Sequence, residues 1–441
     1  MDLAAYATAS LPRYTSYPTA PHFQPLTPAE HAAGLARIGA GDALSLYLHV
    51  PFCHALCWYC GCHTTVTRQE ERIERYALGL VREAQLLAEA MPASHGPVTH
   101  LHLGGGTPSA LGAERLAGVV RHLKRLFPFA TGAELSVELD PRTLTEDVVE
   151  ALAEAGFNRA SLGLQDANDK VQRKMGRIQP VQLVEEAMQR LRAAGIRRIN
   201  LDMMYGLPCQ SVAHVVATAQ VAARLGADRV AAFGYAHVPW MKPAQRAIRG
   251  KELPGAVERL DQAAAAHEAL LAHGYEAVGL DHFALPEDPM AIAAREGRLR
   301  RNFQGYTTDA APVLIGMGCS AIGDTPSGYA QNIADERGWV EAVEAGILPV
   351  ARGLALSEED RLRRAAIERV MCDLRLDLAL LPLCMRARAL PGLRALAEDG
   401  VVALEGDVVR VTESGRRFLR HVAACFDTRL GTGPGRHSVA V

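Results

Sequence analysis

Leu44-Ser-Leu-Tyr-Leu-His-Val-Pro-Phe52 runs directly into Cys53-His-Ala-Leu-Cys57-Trp-Tyr-Cys60-Gly-Cys62. The first part is an apolar, β-rich run. The second places three thiols at the spacing C-x3-C-x2-C, with a fourth two residues on. Three thiolates can hold three irons of a cubane and leave the fourth iron open to bind and activate a small molecule, which a fully ligated electron-carrier cluster cannot readily do. A structural zinc site needs four closed ligands, usually from two knuckles. No second knuckle exists here, although Cys62, His54 or His63 would complete a set. A ferredoxin-like carrier would not need so long a chain. Trp58 and Tyr59 suit a cluster that is shielded from water and lies beside an aromatic cofactor.

Outward from this run, strand-like and amphipathic stretches alternate. The strand candidates are Ser45–Val50, Val98–Leu103, Glu134–Leu139, Ala160–Leu164, Ile199–Met204 and Arg229–Tyr235. The helical stretches between them are Glu71–Met91, Gly112–Leu126, Thr145–Ala155, Gln182–Ala194 and Ala213–Leu225. Such alternation implies βα units on a parallel sheet. Six units predict an α/β fold, a partial (β/α)6 barrel, with functional residues at the C-terminal ends of the strands. The cysteine run lies there, after the first strand. Gly104-Gly-Gly-Thr107 lies there too, after the second, where bare backbone can approach a ligand closely. It lacks the G-x-x-x-x-G-K-[ST] form of a nucleotide triphosphate loop. Glu138 and Asp140 end the third strand, Gln165 and Asp166 the fourth, and Asp202 lies in the fifth. Polar groups in apolar strands are costly unless paired, so their convergence on one rim predicts a site for ribose hydroxyls or an amino acid moiety. Arg177, in a Met-Gly-Arg-Ile turn, is a candidate partner for a carboxylate.

The remaining sequence frames this barrel. Residues 1–43 read as an N-terminal arm, residues 44–310 as the barrel with an extension, and residues 311–355 as a connecting segment that completes the site. Residues 356–441 read as a mainly α-helical, winged-helix-like domain: helix Leu356–Leu376, a Gly406-Asp407 turn between two short strands, and a final helix after Thr412-Glu-Ser-Gly415. Acidic residues interleave with its arginines, which points to a packing or substrate-covering role rather than to DNA. The chain has 441 residues, 49% hydrophobic and 22% charged, with a net charge of -2, so its composition favours neither a nucleic acid nor a membrane partner. No basic n-region opens the sequence, and four of nine cysteines cluster within ten positions. Both features predict a metal site in a reducing cytoplasm.

The C-x3-C-x2-C run after strand one and Gly-Gly-Gly-Thr after strand two resemble the radical S-adenosylmethionine superfamily. Within it the chain is similar to the oxygen-independent coproporphyrinogen III oxidases. Carrying segments include Pro12-Arg-Tyr-Thr-Ser-Tyr-Pro-Thr-Ala20, His49-Val-Pro-Phe-Cys-His54, Val137-Glu-Leu-Asp-Pro-Arg142, Asp202-Met-Met-Tyr-Gly-Leu-Pro208 and Arg301-Asn-Phe-Gln-Gly-Tyr-Thr-Thr308. The resemblance implies that Cys53, Cys57 and Cys60 ligate a [4Fe–4S] cluster, while Cys62 belongs to the motif without ligating iron. It also implies two S-adenosylmethionine molecules. The first would meet Tyr47, Gly105, Glu138 and Ile322. The second would meet Tyr59, Gly106, Thr107, Gln165, Arg177, Asp202 and Ala236. Tyr59 stands where phenylalanine is common and Ala167 where a bulkier aromatic is frequent, which leaves the second wall looser. The implied reaction is radical decarboxylation of coproporphyrinogen III in heme biosynthesis. It would proceed through a 5′-deoxyadenosyl radical, with an electron donor such as flavodoxin or ferredoxin, in a cytoplasmic monomer. Arg13 and Arg301 are the substrate-side candidates, since a tetracarboxylate needs cationic partners. Related heme chaperones carry phenylalanine at the position of Cys62 and lack the Arg-Tyr-Thr-Ser-Tyr-Pro segment, so both features favour the oxidases.

Overall fold

The structure, a computed structural model, describes residues 3–432. Six strands follow the expected order: β1 (Leu44–Val50), β2 (Val98–Gly105), β3 (Phe129–Leu139), β4 (Arg159–Gln165), β5 (Arg198–Tyr205) and β6 (Arg229–Gly234). All five neighbouring pairs run parallel. Helices α1 (Glu70–Ala90), α2 (Ala113–Leu126), α3 (Glu146–Glu154), α4 (Val181–Ala193) and α5 (Val212–Arg224) connect them, and α6 (Ala256–Ala272) follows β6. On α1 the buried positions Ile73, Tyr76, Ala77, Leu80, Ala84 and Leu87 recur at helical spacing and face the sheet.

Alternation within the strands explains their polar residues. On β1, Leu44, Leu46, Leu48 and Val50 are buried in the main core. Ser45 and Tyr47 instead line an interior cavity with His100 and His102 of β2, Glu138 of β3 and Asp202 of β5. The barrel lumen is therefore polar, and most of its charged groups are paired, although Arg159 and Arg229 keep buried donors without a hydrogen-bond partner. His102 bridges Ser136 Oγ at 2.7 Å and Glu138 at 3.2 Å. Arg159 pairs with Glu134 at 3.1 Å, and Arg229 donates to Asp288 at 2.7 Å.

The segment expected to be a connector, residues 311–355, extends the same sheet. After β7 (Glu276–Val278) and β8 (His282–Ala284) come β9 (Val313–Met317), β10 (Ile322–Thr325), β11 (Gly328–Asn332) and β12 (Val350–Ala355). Strand β9 pairs parallel with β1, and the rest continue antiparallel. The whole forms one 13-stranded sheet whose edge beside β12 carries Gln24–Pro25. Helix α7 (Glu336–Glu344) packs this wing on α1, through Trp339 against Tyr76 at 4.5 Å between ring centroids.

Beyond β12 lie α8 (Glu358–Asp373), α9 (Leu383–Glu398), the hairpin Val402–Glu405/Val408–Val411 and α10 (Leu419–Ala424). Sequence periodicity missed α9, because Pro391-Gly392 reads as a break; burial of Met385, Ala389, Leu393 and Leu396 carries the helix through the proline. This region has its own apolar core, and Ala7, Tyr14 and Tyr17 of the N-terminal segment belong to it. The N-terminal segment from Tyr6 to Tyr17 is thus packed against this region. Tyr14 O–H donates to Asp427 at 3.0 Å, Arg420 Nε donates to the Pro12 carbonyl at 2.9 Å, and Arg301 Nε donates to the Tyr14 carbonyl at 3.2 Å. Among the described residues no helix is long and apolar enough to cross a membrane.

Glu83 of α1 joins the barrel to the β9–β12 wing. Its carboxylate accepts from Gly318 N–H at 2.7 Å, Asn332 Nδ2 at 2.5 Å and Trp339 Nε1 at 3.1 Å. Burial outweighs these donors and pushes its pKa up from 4.5 to about 7. A raised folded pKa contributes stability below the unfolded value and loses it as pH rises through the folded one. The stability margin of the wild type over Glu83→Gln should therefore narrow between pH 4.5 and about 7. Urea unfolding across that range measures it.

Candidate active site

The cysteine loop hangs from the end of β1 and is braced on both sides. Phe52–Cys53 pairs in parallel with Thr65–Val66, closing the loop at its base. On the other side, Gly106 N–H donates to the Val50 carbonyl at 2.7 Å and Thr107 N–H to the Phe52 carbonyl at 2.8 Å. The approach admits no side chain: a Cβ on Gly106 would lie 2.5 Å from the Phe52 carbonyl oxygen, and Gly105 sits at φ +116° against His49. The glycine run is thus explained by backbone approach. The Trp58 ring lies over Gly176, and the Trp58 backbone N–H donates to the Met175 carbonyl at 3.0 Å.

A cavity of about 670 Å³ opens above the strand ends. Cys53, Cys57, Cys60 and Cys62 line it with Tyr59, Gly105 and Gly106. Glu138, Gln165, Arg177, Asp202, Ala236 and Arg13 complete the wall. Four of the expected residues lie elsewhere. Tyr47 is in the lumen beneath, its ring stacked on His102 at 5.9 Å. Thr107 is buried under the rim, where its hydroxyl accepts from Asp140 N–H at 3.2 Å. Ile322 lies on β10, against the backbone of Gly316, whose register partner is Tyr47. Arg301 lies towards the C-terminal region, stacked on Tyr306 at 4.2 Å.

Cys57 and Cys60 sit among donors suited to thiolates. Arg142 Nη2 donates to Cys57 Sγ at 3.4 Å and Arg177 Nη1 at 3.6 Å, while Cys62 N–H donates to Cys60 Sγ at 3.4 Å. A side-chain hydrogen bond from the Cys62 thiol, with the backbone one adding to it, pushes the Cys60 thiol down to about 6, and the side-chain bond pushes Cys62 up. Burial pushes the Cys53 thiol up to about 12, a penalty that coordination to a metal would reverse. Among the described residues no three His, Cys, Asp or Glu side chains converge on one metal ion. A cubane takes one thiolate per iron corner, so spaced thiols with guanidinium and N–H donors around them fit such a cluster.

Arg177 is buried and pairs with Asp140 at 3.2 Å, which also takes Arg142 at 2.6 Å. Of the three acids lining the cavity, Glu138 and Asp202 are poised oppositely. Burial opposes the charge on Glu138, but His102 and the Gly105 N–H (3.1 Å) outweigh it and hold the carboxyl below its ordinary value. Asp202 is pushed up to about 7, first by burial and then by the Glu138 charge. The pair can thus offer one acceptor and one donor to a polar ligand. Sequence reasoning assigned no role to Arg142, Lys242 or Gln245. Gln245 Nε2 donates to the carbonyls of Tyr59 (3.0 Å) and Ala236 (3.1 Å), and Lys242 Nζ donates to the Cys62 carbonyl at 2.8 Å. Arg142 stood within a quoted segment and was findable. Gln245 and Lys242 flank and enter a short 3₁₀ turn with no period to mark them.

Comparison with known proteins defines the class. Residues 47–222 match the radical SAM superfamily and residues 356–418 match the HemN C-terminal domain. An oxygen-independent coproporphyrinogen III oxidase of Bradyrhizobium diazoefficiens is 46% identical over 450 residues, covering 100% of this chain and 99% of the relative. That of Escherichia coli is 39% identical, covering 95% and 93%. The solved structure of coproporphyrinogen III oxidase (HemN) from Escherichia coli, a radical SAM enzyme, superposes with a TM-score of 0.90 at 38% identity, covering 94% and 97%. The chain belongs to the oxygen-independent coproporphyrinogen III oxidase family of radical SAM enzymes. It is accordingly an oxidoreductase whose cofactors are a [4Fe–4S] cluster and S-adenosylmethionine.

Gly106→Ala should push the cysteine loop off β2 and cost about 1–3 kcal/mol, as overpacking does. Iron content per chain after anaerobic reconstitution should fall below that of wild type while far-UV circular dichroism keeps its shape.

Proposed function

We propose that the enzyme converts two propionate side chains of coproporphyrinogen III to vinyl groups, giving protoporphyrinogen IX in heme biosynthesis. Each conversion removes one hydrogen atom, one electron and one CO2 from a propionate, the hydrogen atom passing to the cofactor-derived radical and the electron to an external one-electron acceptor. When bound, the cluster and S-adenosylmethionine supply the one-electron reduction and the carbon-centred radical that takes the hydrogen atom. The protein's own residues bind, orient and exclude water. Cys53, Cys57 and Cys60 hold the cluster, with Arg142 and Arg177 balancing its negative charge through Cys57. Cys62 stays off the iron and tunes Cys60 by hydrogen bonding.

Gly105 and Glu138 would hold the first S-adenosylmethionine, with Tyr47 and Ile322 behind them. Glu138, held ionised, accepts from its polar groups. Tyr59, Gly106, Gln165, Arg177, Asp202 and Ala236 would hold the second, with Thr107 beneath them supporting the rim through Asp140. Gln165 adopts φ 63°, a left-handed conformation uncommon outside glycine, which turns the end of β4 at the cavity wall. Gln245 holds the two carbonyls of that wall in register. Arg13 faces a substrate carboxylate from the cavity rim. The reductant is an external one-electron carrier of the flavodoxin or ferredoxin class.

The observation that carries this reading is one cavity. It gathers four cysteine thiols, Glu138 and a buried Arg177 at the strand ends of a chain related over its full length to these oxidases. The test is anaerobic turnover of the protein reconstituted with iron and sulfide, then given S-adenosylmethionine, reductant and coproporphyrinogen III. Two successive losses of CO2, read by mass and absent in Cys57→Ala, are expected. Cofactor cleavage without decarboxylation, together with stoichiometric heme binding, would contradict the proposal and point to a heme chaperone.

A further inference from the structure

A second cavity, of about 330 Å³, adjoins the first and shares Arg13, Gly234, Tyr235 and Ala236 with it. It lies where the barrel, the N-terminal segment and the C-terminal region meet. Six arginines line it: Arg13, Arg259 of α6, Arg301, Arg416, Arg417 and Arg420. Three acids face them, and two are already engaged. Asp281 binds His282 at 2.8 Å, and Glu413 binds His267 at 3.2 Å.

Three of the guanidiniums, those of Arg259, Arg301 and Arg416, are fixed by main-chain carbonyls and keep a buried donor to spare. Arg259 Nη2 donates to the Tyr235 carbonyl at 2.8 Å, and its buried Nε has no hydrogen-bond partner. Arg416 Nη1 donates to the Gly279 carbonyl at 2.8 Å; its buried Nε has none either, with Glu413 at 3.4 Å outside hydrogen-bond geometry. Arg301 holds the carbonyls of Arg13 and Tyr14 and leaves Nη1 buried without a partner. Burial and the Arg13 charge lower the pKa of both Arg259 and Arg420, the latter to about 10. Like charges crowded this closely in a covered site are costly unless an anion joins them.

The geometry points to this cavity as the seat of those substrate carboxylates that are not reacting in a given turnover, with Arg259 and Arg416 as their anchors. The inference rests on the proposed substrate, coproporphyrinogen III, which carries four propionates. Carboxylates bound here set the opposite side of the macrocycle in the cysteine cavity, because Arg13 and the Gly234–Ala236 backbone bound both spaces. It also gives the C-terminal region a role: Arg416 and Arg420 close a site that the barrel leaves open. After one propionate becomes a vinyl, three carboxylates remain to re-seat the molecule for the second.

The test compares wild-type holoenzyme with Arg259→Gln and Arg416→Gln. Coproporphyrin III, the air-stable oxidised tetracarboxylate, is titrated by fluorescence at two salt concentrations, and steady-state decarboxylation is measured alongside. Each variant should weaken coproporphyrin III binding about tenfold, the cost of a lost charge-assisted pair. KM should rise in proportion while kcat moves less than about threefold, with a shallower salt dependence of binding. Arg259→Lys should recover part of the affinity but not all, since a lysine cannot make the bidentate contact. Unchanged affinity in both glutamine variants would overturn the inference, as would equal wild-type affinity for the tetramethyl ester, which has no carboxylates. If Arg416→Gln does not fold, the two Arg259 variants decide alone. A wild-type enzyme that binds coproporphyrin III through these arginines yet does not decarboxylate coproporphyrinogen III would sink the proposed function and leave the anion cavity standing.

Discussion

The backbone seam between the Gly104–Thr107 turn and the Val50–Phe52 stretch governs the site. Two main-chain hydrogen bonds, of 2.7 and 2.8 Å, lock the glycine turn to the base of the cysteine loop. With no Cβ between them, the loop is held at the strand ends rather than above them. Everything chemical is referred to that position. Cys57 comes within reach of Arg142 and Arg177, Trp58 is carried onto Gly176, and Glu138 of the next strand takes the Gly105 N–H. A longer loop or a bulkier turn would break these contacts together, because they share one support.

The lumen solves a different problem. Parallel strands covered by helices ordinarily read as near-continuous apolar runs, yet here alternate positions carry His, Ser, Glu, Asp and Arg. Their mutual pairing makes the interior affordable, as with His102 between Ser136 and Glu138. It also ties the lumen to the cavity above, since Glu138 and Asp202 face both spaces. The opposite shifts of these two carboxyls follow from that shared environment: two acids close together and out of water do not both ionise readily.

Strands β1 to β6 were legible because each is a short β-rich run bounded by a helix of clear period. The cysteines and the glycine turn were legible because both are local in sequence. Strands β9 to β12 were not. They are 4 to 6 residues long, glycine-bearing, and defined by pairing with β1 or with one another across distances in sequence that no local pattern encodes. Helix α9 was hidden by Pro391, and the packing of Tyr14 and Tyr17 into the C-terminal core by the polar look of the segment around them. Arg259 and Arg416 lay in ordinary helix and turn contexts. Only the meeting of the barrel, the N-terminal segment and the C-terminal region turns them into one cationic cavity.

The central claim is that three thiols hold a cluster with one open corner that faces a second ligand. The direct measurement is the electron paramagnetic resonance spectrum of the reduced, reconstituted protein before and after adding S-adenosylmethionine. An open iron predicts a clear shift of the g values on addition, with the unshifted signal regained when the small molecule is removed. A spectrum that S-adenosylmethionine leaves unchanged, from a cluster of full iron and sulfide content, would contradict the account.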